Sequence, residues 1–222
     1  MIAKPGRKPR PGRVAVVVAL ACALVAVPAL VVLFSVAARS ASPWFGQYDA
    51  GAGPAYDFSL TDQDGKPLRL SDLSGNVVLL SFGFTRCPNI CPTTLGNLAA
   101  VVRGLPPPLR DKVRVVFVSV DERDTPATMK DYVPFFDKSF IGLVGSPADI
   151  GAAARAYGAF FRKAPPVEGD GGDYMIDHST YTYLIDPAGK FRIHYRFDQM
   201  PETARIAGDI SRVLGTSEPA KP

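Results

Sequence analysis

Two cysteines with three residues between them are the side chains with the clearest chemical potential. Cys87 and Cys91 lie in the segment FTRCPNICP, residues 84–92. If the first turn of a helix includes both, their sulfurs share one face of that helix. The positive end of the helix dipole favours thiolates, and the adjacent Arg86 adds positive charge. Two convergent thiolates can bind a soft metal ion or act as a redox pair.

A structural disulfide is the alternative for this pair, since the N-terminal sequence described below predicts export. Such a bridge would close a very short loop and would restrain little entropy of the unfolded chain. The pair also follows a predicted central strand, where α/β proteins place their functional sites. The sequence therefore favours a metal site or a redox pair.

The order of predicted elements is that of an α/β fold with a mixed sheet. Apolar runs and alternating segments predict strands, and these lie at 77–84, 113–120, 140–144, 181–186 and 191–197. Helical periodicity and start signals predict four helices, at 93–103, 125–136, 146–157 and 200–214. A hairpin over 56–70 precedes them. By analogy, a cysteine-bearing helix start and a closing hairpin suggest a thioredoxin-like fold with an N-terminal β-hairpin extension.

The two histidines differ in their surroundings. His194 lies in FRIHYRF, residues 191–197, where alternation places it beside Arg192 and Arg196 on a solvated face, an improbable metal site. His178 lies between a polar loop over 163–173 and a predicted strand. Asp177 or a backbone group is expected to orient its ring.

Taken alone, His178 fits a hydrogen-bonded loop residue. In a thioredoxin-like arrangement, however, its loop packs beside the cysteine turn. Three ligands are too few for a closed structural zinc site. Two sulfurs and one imidazole nitrogen suit copper, because sulfur favours Cu(I) and imidazole helps to hold Cu(II).

The charge of the chain is concentrated at its N-terminus. The 222 residues carry a formal charge of +4, but residues 1–13 contain five basic residues and no acidic one. The rest of the chain has 20 basic and 21 acidic residues. This balance does not indicate a nucleic-acid-binding face.

An uncharged apolar run follows the basic arm. Residues 14–38 can span a bilayer core of about 30 Å as a helix, and the arm is expected to remain in the cytoplasm. We predict a retained anchor, although small residues at 37–42 leave cleavage open. Cys22 within the run is expected to be a small apolar side chain. The predicted organisation is arm 1–13, transmembrane anchor 14–38, linker 39–55, domain 56–215 and flexible tail 216–222.

Three segments resemble the Sco/SenC family of copper-binding proteins. They are FGFTRCPNICPTTL at 82–95, DYMIDHS at 173–179 and YLIDP at 183–187. The resemblance covers about residues 56–214 and includes a single N-terminal anchor. It implies a thioredoxin-like protein, tethered to the bacterial cytoplasmic membrane with its domain in the periplasm. Such proteins assist assembly of the dinuclear copper site in subunit II of cytochrome c oxidase.

Carried over by motif, Cys87, Cys91 and His178 are the expected copper ligands, and Cys87 with Cys91 is the reducible pair. Copper, as Cu(I), Cu(II) or both, is the expected metal, and no catalytic residue is predicted. The expected partners are subunit II, an upstream periplasmic copper carrier and a thiol reductant. A metallochaperone is the first hypothesis. A membrane-anchored thiol–disulfide oxidoreductase that keeps the subunit's copper-ligand cysteines reduced is the alternative, and a copper or redox sensor is the third.

Overall fold

The computed structural model describes residues 44–165 except 50 and 52, residues 174–216, and the isolated residues Gly12, Cys22, Leu24 and Val27. The chain divides into two units, Met1–Pro43 and Trp44–Pro222. In the first, Cys22, Leu24 and Val27 are helical and exposed. None of the helices in the described part of the chain has the length and apolar character to cross a membrane. The rest of the predicted arm and anchor, and the predicted tail beyond residue 216, lie outside the described residues.

A mixed sheet forms the centre of the second unit. In the described residues its eight strands are β1 (Gln47–Tyr48), β2 (Ser59–Asp62), β3 (Pro67–Arg69), β4 (Val77–Gly83), β5 (Val113–Ser119), β6 (Ile141–Val144), β9 (Thr182–Ile185) and β10 (Phe191–Tyr195). Their spatial order is β1-β10-β9-β4-β5-β6-β2-β3. The neighbours β4, β5 and β6 run parallel, and the other pairs are antiparallel. The predicted mixed sheet is thus confirmed.

Strand β4 is central because its sequence is apolar on both faces. All seven of its residues are buried, as expected for a strand covered on both sides of the sheet. It pairs with β5 on one side and β9 on the other. The chain leaves its carboxyl end into the cysteine turn, so a strand that is buried along its whole length positions that turn.

The helices follow the predicted order with shifted ends. They are α1 (Ile90–Gly104), α2 (Pro107–Arg110), α3 (Pro126–Tyr132), α4 (Pro147–Ala156) and α5 (Thr203–Thr216). The predicted caps Thr125 and Ser146 accept the Thr128 and Asp149 amides. Helix α3 ends earlier than predicted and continues as a 3-10 turn, because Pro134 in that turn has no amide to donate.

Part of the predicted linker is a strand of the sheet. β1, within 39–55, pairs with His194 and Ile193 of β10. A Cβ atom at Gly46 would lie 2.2 Å from the Ile193 side chain, so glycine allows this close approach. Two residues are too short a strand to leave a periodic pattern, and the sequence therefore predicted only a linker.

A second, two-stranded sheet carries His178. Strands β7 (Phe161–Lys163) and β8 (Ile176–His178) pair antiparallel and are separate from the main sheet. The sequence predicted a loop over 163–173, of which Lys163 belongs to β7 and residues 166–173 lie outside the described part of the chain. It also placed His178 in a loop. His178 is instead the last residue of a strand, opposite Phe161.

Candidate metal centre

The turn after β4 brings the two cysteine sulfurs together. Helix α1 begins at Ile90, so Cys91 is in its first turn while Cys87 precedes it. The condition that the first helical turn includes both cysteines is therefore not met. The sulfurs converge because the chain folds back, and the Cys91 amide donates to Cys87 Sγ at 3.4 Å. Cys87 thus accepts a hydrogen bond from the helix N-terminus.

His178 approaches the cysteines from the second sheet. Its Nε2 lies 3.5 Å from Cys91 Sγ, and its ring stands edge-on to Phe84, with 5.7 Å between centroids. Its Nδ1 donates to the Ser179 carbonyl oxygen at 2.8 Å. Because a carbonyl only accepts, Nδ1 carries the proton and Nε2 keeps a free lone pair. A backbone group, and not Asp177, therefore orients the ring.

The three side chains form one compact donor set. The two Sγ atoms and one imidazole nitrogen lie within 4.8 Å of one another, and no other such group occurs in the described part of the chain. Cys91 is buried, whereas Cys87 and His178 are half-buried. A cavity of about 10 Å³ touches Cys91 and His178, which is roughly the space of one water-sized sphere.

The thiols differ in acidity. The pKa of Cys87 falls to about 3, chiefly because the Cys91 thiol donates a hydrogen bond to it, with further hydrogen bonds from the backbone of Cys91 and Asn89. The pKa of Cys91 is raised by that same bond and by burial. The pair therefore holds one thiolate, at the more exposed sulfur, and one buried thiol.

A buried carboxylate that the sequence analysis did not single out fixes the chain ahead of the cysteines. Asp124 accepts hydrogen bonds from the Thr85 amide at 2.9 Å, the Thr85 hydroxyl at 2.5 Å and the Ser119 hydroxyl at 2.6 Å. These bonds join the end of β5 to the residue two positions before Cys87. Arg86, expected to add positive charge beside the sulfurs, places its guanidinium 3.8 Å from the Asp121 carboxylate.

His194, the other histidine, is not part of this donor set. It is half-buried on the β10 surface, with its ring against Tyr181 and Phe191. Burial, followed by the nearby Arg196 charge, lowers its pKa. The predicted alternation breaks at a register shift between Phe191 and Ile193, so Phe191 joins His194 on one face.

Comparison with known proteins gives consistent results. A model of the SCO1/SenC family matches residues 48–215. The SCO2-like protein of Rickettsia felis is 37% identical over 187 residues, covering 81% of this chain and 88% of that protein. Apo Sco1 of Thermus thermophilus has 39% identity and a TM-score of 0.70, covering 77% of this chain and 97% of that one.

A further similar structure contains a metal. Bradyrhizobium japonicum ScoI, described with copper bound, has 39% identity and a TM-score of 0.64. The similarity covers 73% of this chain and 100% of that chain. Both structural similarities confirm the thioredoxin-like α/β arrangement expected from the sequence.

Proposed function

The chain belongs to the SCO1/SenC family, and on that premise we propose that it is a copper metallochaperone. Cys87, Cys91 and His178 are its copper ligands, and the ion is cargo for the dinuclear copper site of cytochrome c oxidase subunit II. The observation that carries this proposal is the convergence of two sulfurs and an imidazole nitrogen within 4.8 Å.

The chemistry of the donor set fits copper. Thiolate sulfurs are the ligands that Cu(I) prefers, and imidazole also suits Cu(II). The Ser179 carbonyl holds the proton at Nδ1 of His178 and so leaves Nε2 available. The low pKa of Cys87 keeps one sulfur ionised at neutral pH. Metal binding therefore requires proton loss only from Cys91.

The same arrangement suits release to a partner. The protein does not enclose the donor set, since Cys87 and His178 are only half-buried. An incoming thiolate or imidazole of the oxidase subunit can therefore reach the ion and replace the chaperone's ligands stepwise. In this proposal residues 14–38 anchor the protein in the bacterial cytoplasmic membrane, with the domain in the periplasm. A periplasmic carrier supplies copper, and a thiol reductant keeps the cysteines reduced.

Anaerobic copper titration of the reduced full-length protein in detergent micelles tests the proposal. We expect one copper per chain, and we expect His178→Ala to weaken Cu(II) binding by more than the about 10–100-fold that loss of an outer-shell partner costs, while Cu(I) binding, held by two sulfurs, changes less. His194→Ala is the matched control and should leave both affinities unchanged. Absence of copper uptake by the reduced wild type would refute the metallochaperone function.

Thiol–disulfide exchange is the second candidate, favoured by the unequal acidity of the cysteines. The Cys87 thiolate would attack a disulfide of the oxidase subunit, breaking its S–S bond, forming a mixed disulfide with one sulfur and releasing the other as a thiolate that takes up a proton. Cys91 would lose its proton and attack Cys87 Sγ, forming an intramolecular disulfide and releasing the subunit's second sulfur. Two electrons pass to the subunit, and a dithiol reductant restores Cys87 and Cys91. Brisk reduction of a disulfide peptide by a protein that takes up no copper would favour this function.

A further inference from the structure

The sheet that carries His178 needs a specific attachment to the rest of the domain. Within the described residues, β7 and β8 pair only with each other. Ile176 is buried and the Phe84 ring meets His178, but apolar packing is not directional. The position of Nε2 relative to the two sulfurs therefore depends on directional contacts elsewhere along this sheet.

Arg123 supplies such contacts from the loop after β5. Its Nη2 donates to the Tyr174 carbonyl oxygen at 2.9 Å, two residues before β8. Its guanidinium carbon also lies 3.6 Å from the centroid of the Tyr174 ring, a cation–π contact. One side chain thus holds both the backbone and the ring of the residue that leads into the His178 strand.

Asp121 fixes Arg123 in that position. Its carboxylate accepts the Arg123 Nε at 2.9 Å and Nη2 at 2.7 Å, and its own side chain is fully buried. The Tyr174 hydroxyl donates to the same carboxylate at 3.2 Å. Arg86, from the cysteine turn, lies 3.8 Å away from it. One buried carboxylate therefore contacts both segments that contribute sulfur or nitrogen donors.

We propose that Asp121, Arg123 and Tyr174 form a clamp that sets the position of the His178 imidazole relative to the cysteine sulfurs. These are positioning residues, since they act through the β7–β8 sheet. The consequence for metal binding rests on the proposed function: Cu(II) binding, which draws on the imidazole, should depend on the clamp more than Cu(I) binding.

Selective isotope labelling of histidine tests the clamp without metal. The chain has two histidines, so NMR spectra of the reduced full-length protein in micelles contain signals from two imidazoles. The His178 signals report on the clamp, and the His194 signals are the internal reference. The wild type should show nuclear Overhauser effects from His178 to Cys91 and to the Phe84 ring. In Arg123→Gln these effects should weaken several-fold, with the His194 signals unchanged.

Arg162→Gln is the matched control. It removes an exposed ion pair with Asp177 on the same sheet, at 3.1 Å. This variant should show the same nuclear Overhauser effects from His178 to Cys91 and Phe84 as the wild type. Tyr174→Phe removes only the hydroxyl and should weaken them less than Arg123→Gln does. If Arg123→Gln fails to fold, Tyr174→Phe still tests the clamp.

Copper titration supplies the second readout. Arg123→Gln should weaken Cu(II) binding by about 10–100-fold, as removal of outer-shell support does, and Cu(I) binding much less. The clamp would be overturned if folded clamp variants kept the His178 contacts of the wild type. It would also be overturned if Arg123→Gln lowered the affinities for Cu(I) and Cu(II) equally, or if Arg162→Gln lowered the Cu(II) affinity as much as Arg123→Gln. A wild type that binds no copper would refute the proposed function, while the metal-free spectra still decide the clamp.

Discussion

His178 presents its Nε2 atom to the cysteines because its other ring nitrogen donates to the Ser179 carbonyl oxygen. The acceptor is the next residue's backbone, so the bond survives most substitutions nearby. Asp177, the other group expected to orient the ring, pairs with Arg162 instead. At the residue scale, a local main-chain contact sets the tautomer of His178. The fold sets the distance between its Nε2 and Cys91 Sγ.

The acidity of Cys87 has a direct consequence for its reactivity. Since its pKa is about 3, Cys87 is a thiolate throughout the neutral range. In a Cys22→Ser background, its alkylation by iodoacetamide should be nearly independent of pH from about pH 5 to 8, whereas an ordinary thiol with a pKa near 8.5 reacts about tenfold faster per pH unit there. Alkylation rates of the reduced, metal-free protein measure this.

Cys91→Ala in the same background is the informative comparison. The Cys91 thiol is the largest influence that lowers the pKa of Cys87, so its removal should raise that pKa and restore a rise of rate with pH. A parent protein whose rate rises tenfold per unit would show that Cys87 is an ordinary thiol.

At the element scale, the end of β4 and the start of α1 must approach closely for Cys91 to be buried. A Cβ atom at Gly83, the last residue of β4, would lie 2.6 Å from both Cys91 Sγ and the Phe117 ring. A side chain there would displace the sulfur or the ring. The glycine is therefore required by space.

We expect Gly83→Ala to lower the free energy of unfolding by about 1–3 kcal/mol, the usual cost of overpacking, and to weaken copper binding. Gly96→Ala in α1 is the matched control, since nothing lies within 4 Å of its added Cβ. It should stabilise the protein by about 0.5–1 kcal/mol through helix propensity. Chemical denaturation of both variants measures the difference. Equal stability of the two would contradict the steric explanation.

At the scale of the whole molecule, one buried carboxylate joins the start of the second unit to its end. Asp209 of α5 accepts the amides of Phe45 and Gly46 at 2.9–3.1 Å and the Tyr195 hydroxyl at 3.2 Å. The segment ahead of β1 is thereby attached to the C-terminal helix. Arg205 stacks on the Phe45 ring at 4.0 Å and adds to this attachment.

Asp209→Ala should destabilise the fold strongly, since each buried donor left without an acceptor costs about 1–3 kcal/mol. Amide hydrogen exchange at Phe45 and Gly46 should rise more than exchange in β4. Asp131→Asn, at an exposed site, should change stability by less than about 0.5 kcal/mol. Unaltered protection of the Phe45 and Gly46 amides in Asp209→Ala would contradict this role.

The central strands, the order of elements and the types of the donor residues followed from the sequence because their signals are local. An apolar run such as β4 is recognised over seven neighbouring residues, and Cys87 and Cys91 are only four positions apart in the chain. Helix starts at Thr125 and Ser146 are also local, since each cap bonds an amide three residues away.

The remaining features depend on residues far apart in the chain, and only the tertiary structure decided them. The Asp124 bonds to Thr85 span 39 residues, the His178 contact with Cys91 spans 87, and the Asp209 bonds to Phe45 span 164. Strands of two or three residues, such as β1 and β8, form because existing partners accept their backbone groups. The sequence by itself determined which atoms are available for metal binding. Packing of the strands, turn and second sheet determined that they meet.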